Sequence, residues 1–262
     1  MVLPTQLQTN DSAQTFEAFV DQWFIDKEHH LRDLLGLIAR NSCDNEVDEV
    51  QCKDLIDRVI RHYGRYFEAK ARMIADNVFL VLMPTWFSSF ERAYLWMGGF
   101  RPGLAFRLVI NNVLDLSEEQ SWRMNRLMTE IKEEEKDITD EFDKVQEVMV
   151  ITITSFPYIA INLGGQGNST DAGIVEARGP AEERGGDNME LLVDQLKSAV
   201  GALVERADYL RMKTGIMLME MLKSSQTIRF LAAAMQLQLR LRRRGMMRDA
   251  ESQMHRFETQ PI

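Results

Sequence analysis

The sequence predicts an all-α fold, a multi-helix bundle of long amphipathic helices with one flexible glycine-rich loop. Three observations carry this reading. Large apolar side chains recur at three- and four-residue steps over long stretches, the stripe that a helix turns toward a core. Six prolines among 262 residues leave those stretches largely uninterrupted, and sixteen methionines supply adaptable core filling. No segment alternates apolar and polar residues cleanly at a period of two, as a half-buried strand would.

The first helix is expected over residues 16 to 39, where Phe16, Phe19, Val20, Trp23, Phe24, Leu31, Leu34, Leu35 and Ile38 form one stripe. The polar run "NSCDNE" breaks it. A second helix follows over residues 47 to 81 with Leu55, Val59, Ile60, Tyr63, Phe67, Ala71 and Ile74, and Pro84 ends it. "SSFE", residues 88 to 91, reads as a capping box in which Ser88 and Glu91 satisfy each other's free amides. The helix it opens should carry Phe90, Tyr94, Leu95 and Met97 and stop at Gly98-Gly99. A short helix restarts after Pro102. "LSEEQ" forms a second capping box, Ser117 with Gln120, before a long helix through Leu127, Ile131, Ile138, Phe142, Val145 and Met149. The outer face of that helix, "KEEEKD" at 132 to 137, reads as solvated surface, and "VITIT" as its β-branched end. Residues 162 to 188 are rich in Gly, Ser, Asp and Glu and read as a flexible loop. Helix resumes at Met189 and runs through Leu222. Ser224 or Ser225 then caps a last helix. The organisation is a flexible start at 1–12, a single helical domain at 13–248 with the loop inside it, and a flexible tail at 249–262.

Composition narrows the chemistry. The net charge is −9 and the pI about 5.1, a poor balance for non-specific binding of nucleic acid, which draws most of its affinity from phosphate contacts. Cys43 and Cys52 match no metal-ligand spacing or disulfide framework, so no metal site is expected. The N-terminal run lacks the basic start and apolar core of a secretory signal. No stretch approaches the roughly 20 apolar residues of a membrane span. An intracellular, reducing compartment is expected. His29, His30, His62 and His255 form no HExxH-type arrangement and sit in no glycine-rich turn beside a nucleophile. No catalytic residue is therefore assigned. His62, close to Tyr63 and Tyr66, and His255, in the polar tail, are the weak candidates for haem ligation.

Two motifs stand out. In "LWMGGFRPGLAFRLV", residues 95 to 109, both flanks read as helix and no Lys-Ser/Thr follows the glycines, so a phosphate loop is disfavoured. The better reading is a tight corner between packed helices. Gly98 and Gly99 take positive φ there, Arg101 reaches exposed carbonyls, and Pro102 starts the next helix. Trp86, Trp96 and Phe100 clamp that corner. The second motif is "RLRRR", with Arg240, Arg242, Arg243 and Arg244. Two readings stay open for it: cations meeting the negative end of a helix dipole, or a nuclear-import or acidic-partner patch. The methionines from Met212 to Met221 read first as core filling and second as an adaptable groove for a partner helix.

"PTWFSSFERAYLWMGGFRPGLAFRLV" resembles the signature block of the plant delay-of-germination domain. "FEAFVDQWFIDKEHHLRDLL", "HYGRYFEAKARMIADNVF", "LSEEQ" and "ERADYLRMKTGIMLMEMLKSSQTIRFLAAAMQLQLRLR" agree in order, so the resemblance spans about residues 13 to 248. It marks Trp86, Glu91, Trp96, Gly98, Gly99, Arg101 and Pro102 as signature residues. That domain stands alone in seed-dormancy regulators and follows a leucine zipper in the TGA transcription factors. Only about a dozen residues precede the first expected helix, with no basic region or leucine heptads, so direct sequence-specific DNA binding is not expected. The resemblance implies a non-enzymatic plant regulator acting through protein–protein contacts and self-association, linked to transcription, in the nucleus, the cytoplasm or both. The process it implies is seed dormancy with abscisic acid signalling, or pollen aperture formation. Two alternatives remain: a regulator that binds haem or a fatty acid between its helices, and a DNA-associated factor of the TGA-related class.

Overall fold

The computed structural model describes residues 4–44, 48–155 and 182–258, with side chains at 14–40, 48–150, 191–252 and 254. Seven helices occur among the described residues: α1 Pro4–Asp44, α2 Glu49–Leu82, α3 Ser89–Arg92, α4 Gly103–Asn112, α5 Glu118–Ser155, α6 Glu182–Met221 and α7 Ser224–Glu258. The fold is an all-α bundle. Five long helices carry it: α1 packs on α2 and α7, α2 also on α6 and α7, and α5 on α6. The short α3 and α4 lie against α7, and α4 also touches α5.

Local chemistry sets most helix starts. Asp48 accepts from the Gln51 amide at 2.9 Å and opens α2. Both capping boxes form: the Glu91 amide donates to Ser88 Oγ while the Ser88 amide donates to Glu91 Oε2, and Ser117 and Gln120 do the same before α5. The α7 start differs from expectation. The residue before it is Lys223, whose amide donates to Gln226 Oε1 at 2.9 Å, so the cap is a glutamine reaching back rather than a serine. Gln226 also donates to the Asp115 carbonyl, tying this helix start to the loop before α5.

Several boundaries move outward. Helix α1 begins at Pro4, inside the expected flexible start, and continues through Asp44. Proline fits a first helical position, and no internal glycine interrupts the first turns. Most of the expected 162–188 loop falls outside the described residues, but Glu182–Met221 is helical, so its last seven positions belong to α6. Glu182 and Glu183 there lie in a first turn, where acidic side chains suit the dipole. Helix α7 runs on to Glu258. The "RLRRR" run therefore lies mid-helix, which removes the helix-terminus reading. Inside α2, Asn77 leaves helical geometry at φ −157° and ψ 93°, and its side chain accepts from the Phe79 amide. This kink had no clear sequence signal.

The interior holds two apolar clusters that meet at Tyr63, Phe142 and Val145. One gathers Leu34, Leu55, Val59, Trp96, Phe106, Ile131, Leu210 and Met235. The other gathers Phe16, Val20, Trp23, Ile74, Trp86, Val200 and Val204. Trp86 belongs to this second cluster, edge-on to Phe16 at 4.8 Å, so it does not clamp the glycine corner as expected.

The seam between α3 and α7 rests on Gly245. A Cβ built there would fall inside the Ser88 hydroxyl and 2.8 Å from Ser88 Cβ. Alanine normally gains up to about 1 kcal/mol over glycine within a helix, yet Gly245→Ala is expected to lose about 1–3 kcal/mol by overpacking the capping box. Thermal melting reads the sign directly, and an unchanged or raised midpoint would refute this account of the seam.

Candidate functional site

The glycine corner is a tight hairpin turn rather than a helix end. Helix α3 stops at Arg92, one turn long. Trp96 and Gly99 then exchange two backbone hydrogen bonds, at 2.6 and 3.1 Å. The central residues Met97 and Gly98 both have positive φ, 48° and 66°, the signature of a type I′ turn. The expected positive φ at Gly99 is absent. Gly99 matters because a Cβ there would stand 2.7 Å from the Arg211 guanidinium, and one at Gly98 would strike Val81.

Arg211, from α6, does what Arg101 was expected to do. Its Nε donates to the Phe100 carbonyl at 2.8 Å, and its Nη2 donates to the Trp96 and Met97 carbonyls. Its Nη1 donates to Asp208, which also accepts from Lys70 at 2.8 Å. Arg101 is exposed, with its guanidinium 5.6 Å from the centre of the Trp96 ring. Two buried cations thus share one buried carboxylate, and three backbone carbonyls supply the remaining acceptors. Burial lowers the Lys70 pKa to about 8, against the opposing pull of Asp208. Trp96 fixes the other side by donating to Thr139 Oγ1 at 3.1 Å. Pro102 starts α4 as expected, and Glu135, from α5, accepts from the Gly103 amide at 2.6 Å. Glu135 is only 7% exposed, so the "KEEEKD" face is not wholly solvated: one of its carboxylates reaches inward to cap a neighbouring helix.

Beside the corner lies a cavity of about 330 Å³ among α1, α2, α4, α6 and α7. Its walls are largely apolar, with Phe67, Leu104, Leu108, Met212, Met219 and Leu241 among them. Met212 and Met219 come from the methionine segment, so part of that segment lines a hollow while Leu218 beside it fills the core. Lys27, Lys70, Asp208 and Arg211 border the same cavity. Lys27 is fully buried. Its ammonium donates to Gln238 Oε1 and stands 3.4 Å from the Trp23 ring centre, with the Phe24 and Tyr63 rings also near. Tyr63 donates to the same Gln238 oxygen at 3.1 Å. Burial, then the charge of Arg242, pull the Lys27 pKa well below its ordinary value.

None of these cations was singled out from the sequence. A signal existed: Lys27 continues the stripe Val20, Trp23, Phe24, Leu31, Leu34, and Lys70 continues Tyr63, Phe67, Ile74. A charged side chain on an apolar stripe is buried or paired far more often than it is idle.

Of the two expected haem candidates, the structure describes the surroundings of His62. His62 is buried, stacked on Trp23 at 4.8 Å and 4°, with His30 edge-on at 5.0 Å. It does not line the cavity, and neither ring nitrogen has a hydrogen-bond partner. The side chain of His255 lies outside the described residues. Among the described residues no group of three or more His, Cys, Asp or Glu is placed to hold a metal ion. No helix is long and apolar enough to cross a membrane among the described residues.

The basic run divides. Arg242 is largely buried: it pairs with Asp21 at 2.6 Å, approaches Glu91, donates to the Trp86 carbonyl and covers the Phe24 ring at 4.2 Å. It braces α7 against α1 and α3. Arg240, Arg243 and Arg244 remain on the exposed side.

The pattern of the seed dormancy control family matches residues 30–111, which include the capping box, the glycine turn and all but the last residue of α4. Over longer spans the chain is similar to Protein ZW2 of Arabidopsis thaliana, 29% identical over 89% of this chain and 97% of that protein. It is also similar to Protein RESPONSE TO ABA AND SALT 1 of the same plant, 27% identical over 91% of this chain and 98% of that protein. Transcription factor TGA5, also from Arabidopsis thaliana, is 26% identical over 88% of this chain and 64% of its own length.

Two predictions come from this geometry. Arg211→Met leaves Asp208 with Lys70 alone and takes the guanidinium from the Met97 and Phe100 carbonyls, and should cost about 3–5 kcal/mol. Arg211→Lys should recover only part of this, because an ammonium cannot serve the fork of acceptors that a guanidinium does. Urea midpoints of the two variants check the order, and a midpoint for the methionine variant near wild type would sink the clamp. His62 is held at a pKa of about 3, first by burial and then by the charges of Lys27, His30 and Arg65. The unfolded chain takes up its proton near 6.5, so stability is full above that pH and falls as pH drops from about 6.5 toward 3. His62→Phe removes two unpartnered nitrogens, so it should be neutral or stabilising at pH 8. It should also flatten the acid limb by up to about 1.4 kcal/mol per pH unit. Parallel acid limbs for the two proteins would refute the assignment.

Proposed function

Because the chain belongs to the seed dormancy control family, we propose that it is a non-enzymatic plant regulator that works through protein–protein contacts in dormancy and abscisic acid signalling. The observation that carries this is the near full-length likeness to Protein RESPONSE TO ABA AND SALT 1, 98% of which is matched. The relatives' names weight the process toward abscisic acid response over pollen aperture formation. The likeness to Transcription factor TGA5 supports a place in a transcription-regulating assembly, and hence a nuclear role, reached through other proteins rather than by direct reading of DNA.

The surface that suits such contacts is the outer side of α7. Arg240, Arg243, Arg244 and Arg248 are exposed there, interleaved with exposed Met246 and Met247. In an acidic chain this is a cationic, adaptable strip for an acidic partner segment. Self-association through an acidic helix face of a second copy is the variant of this reading that keeps the same chemistry.

The cavity favours a second reading, a regulator whose fold holds a small apolar molecule. Its walls suit a fatty acid better than haem, since no histidine borders it. Occupancy would stiffen five helices at once and so present the outer surface in one form.

Arg243→Ser with Arg244→Ser alters only exposed side chains and should leave thermal stability within about 0.5 kcal/mol. In pull-downs from seed extract, the partners held by the wild-type protein should weaken with added salt and be lost from the double variant. An identical, salt-insensitive set of captured proteins from both would overturn the α7 contact. A gel shift on duplex DNA at low salt, where phosphate contacts are strongest, would overturn the indirect link to transcription.

A further inference from the structure

We propose that the groove between α1 and α7 reads phosphate: Arg32, Arg240 and Arg243 hold a phosphoserine or phosphothreonine of a partner protein. The inference rests on the reading of the α7 strip as a contact surface, and it names the chemistry of the segment that docks there.

The groove has a volume of about 380 Å³. Glu28, Arg32 and Leu35 supply its α1 wall, and Leu239, Arg240 and Arg243 its α7 wall. Steps of three and four residues place each set on one helix face. The three arginines are exposed, and their charges are poorly answered. Among the described residues neither Arg32 nor Arg240 has an ion-pair partner. Arg32 also borders the next groove, between α1 and α2, but the carboxylates there, Asp33 and Asp54, are taken by Arg58. Glu28 is the one carboxylate lining the α1–α7 groove, and it stands 3.8 Å from Arg243. Arg242, next in sequence, is turned to Asp21 and Glu91 and takes no part. Three guanidiniums facing one carboxylate leave two positive charges in excess at one place, in a chain whose net charge is −9.

A phosphate monoester answers that excess. Near neutral pH it carries a charge of about −1.5 to −2 and three strong acceptor oxygens. Guanidinium forks bond such oxygens two at a time, and several forks can share one phosphate. An aspartate or glutamate brings about half the charge and only two oxygens. The groove also has an apolar floor: Leu35 is 41% exposed, with Leu31 and Leu239 beside it. A bare anion has no use for that floor, whereas a peptide can lay the apolar side chain next to its phosphate on it. A groove between two helices admits a chain segment, while a flat bilayer would touch only its rim. Phosphorylation of the partner then switches the contact on by local charge alone.

Fluorescence anisotropy of the full chain tests this with three labelled peptides in a glycine–alanine background. They differ at one central position, which is phosphoserine, aspartate or serine, and each has leucine next to it. Wild type should bind the phosphoserine peptide about tenfold or more tighter than the serine peptide, with aspartate between them. Arg32→Gln with Arg240→Gln alters only exposed side chains, so the melting point should hold while the preference is lost. Arg123→Gln, exposed on α5, should keep it. Glu28→Gln removes the competing carboxylate and should tighten phosphoserine binding about two- to fivefold. Equal affinity of wild type for the phosphoserine and serine peptides overturns the phosphate assignment without any variant. A preference that survives the double glutamine variant overturns the groove as its seat. Retention on phosphatidylcholine vesicles containing phosphatidic acid, with no preference among the peptides, overturns a protein partner in favour of a membrane surface. Pull-downs from phosphatase-treated seed extract separate this claim from the reading it rests on. Partners that persist after the treatment yet are lost with Arg243→Ser and Arg244→Ser overturn the phosphate and leave the α7 contact standing. Partners indifferent to both overturn the two together.

Discussion

One guanidinium holds the centre of this fold. Arg211 is carried by α6, and its donors reach three carbonyls of a tight turn and the Asp208 carboxylate at once. The turn it grips joins α3 to α4, and the carboxylate it shares with Lys70 reaches α2. A hairpin turn with two residues at positive φ is strained when one of them is methionine. Such a turn persists only if its surroundings over-determine it. The guanidinium fork does this because its donors match several acceptors at once, where a point charge would satisfy one. Gly99 is the complement of that fork, since any side chain there would displace it.

How far the sequence discloses this depends on the range of the interaction. Capping boxes are local, three residues apart, and both were legible as "SSFE" and "LSEEQ". The amphipathic stripes are also local, and they placed every long helix. The glycine turn was legible as a break but not as a hairpin. Its conformation is set by Arg211, more than 110 positions downstream, and no pattern within the turn names that partner. Arg101 was the natural candidate because it is close in sequence, but a side chain facing solvent beside a turn has little to gain from its carbonyls. Glu135 shows the same limit: among six consecutive charges only the position facing α4 is buried. Within α7, the register decides that Arg242 braces the bundle while Arg243 and Arg244 face outward.

The cavity follows from the same economy. Helices that meet at a fixed corner cannot also close every gap along their lengths. The gap falls where α4 is short and where the residues bordering it on α2 and α6 include Gly64 and Gly215. The hollow is partly open, so its apolar lining is surface left in contact with water, which costs free energy in proportion to its area. A bound apolar molecule would recover that cost and would do so without any new backbone arrangement. Titratable groups beside it, Lys27 and Lys70, are held toward their neutral forms by burial. Proton-transfer chemistry is not required to explain them, because depressed lysine pKa values follow from desolvation wherever a cation lacks a full complement of anions.

These features bear on how such a bundle could act as a regulator. One helix carries both surfaces: Leu237, Gln238 and Leu241 of α7 border the hollow, while Arg240, Arg243 and Arg244 are exposed. A ligand that orders the inner side must therefore order the outer side as well. Coupling of this kind needs no long pathway across the molecule: a rigid helix carries it over a single diameter. It also sets a condition on its strength, because a ligand shifts the contact surface only by the difference in its affinity for the ordered and disordered forms of α7. Arg242 limits that difference. By bracing the helix on Asp21 and Glu91 it already holds the strip in place without a ligand. Weakening that brace would make the outer contact depend more on cavity occupancy, not less.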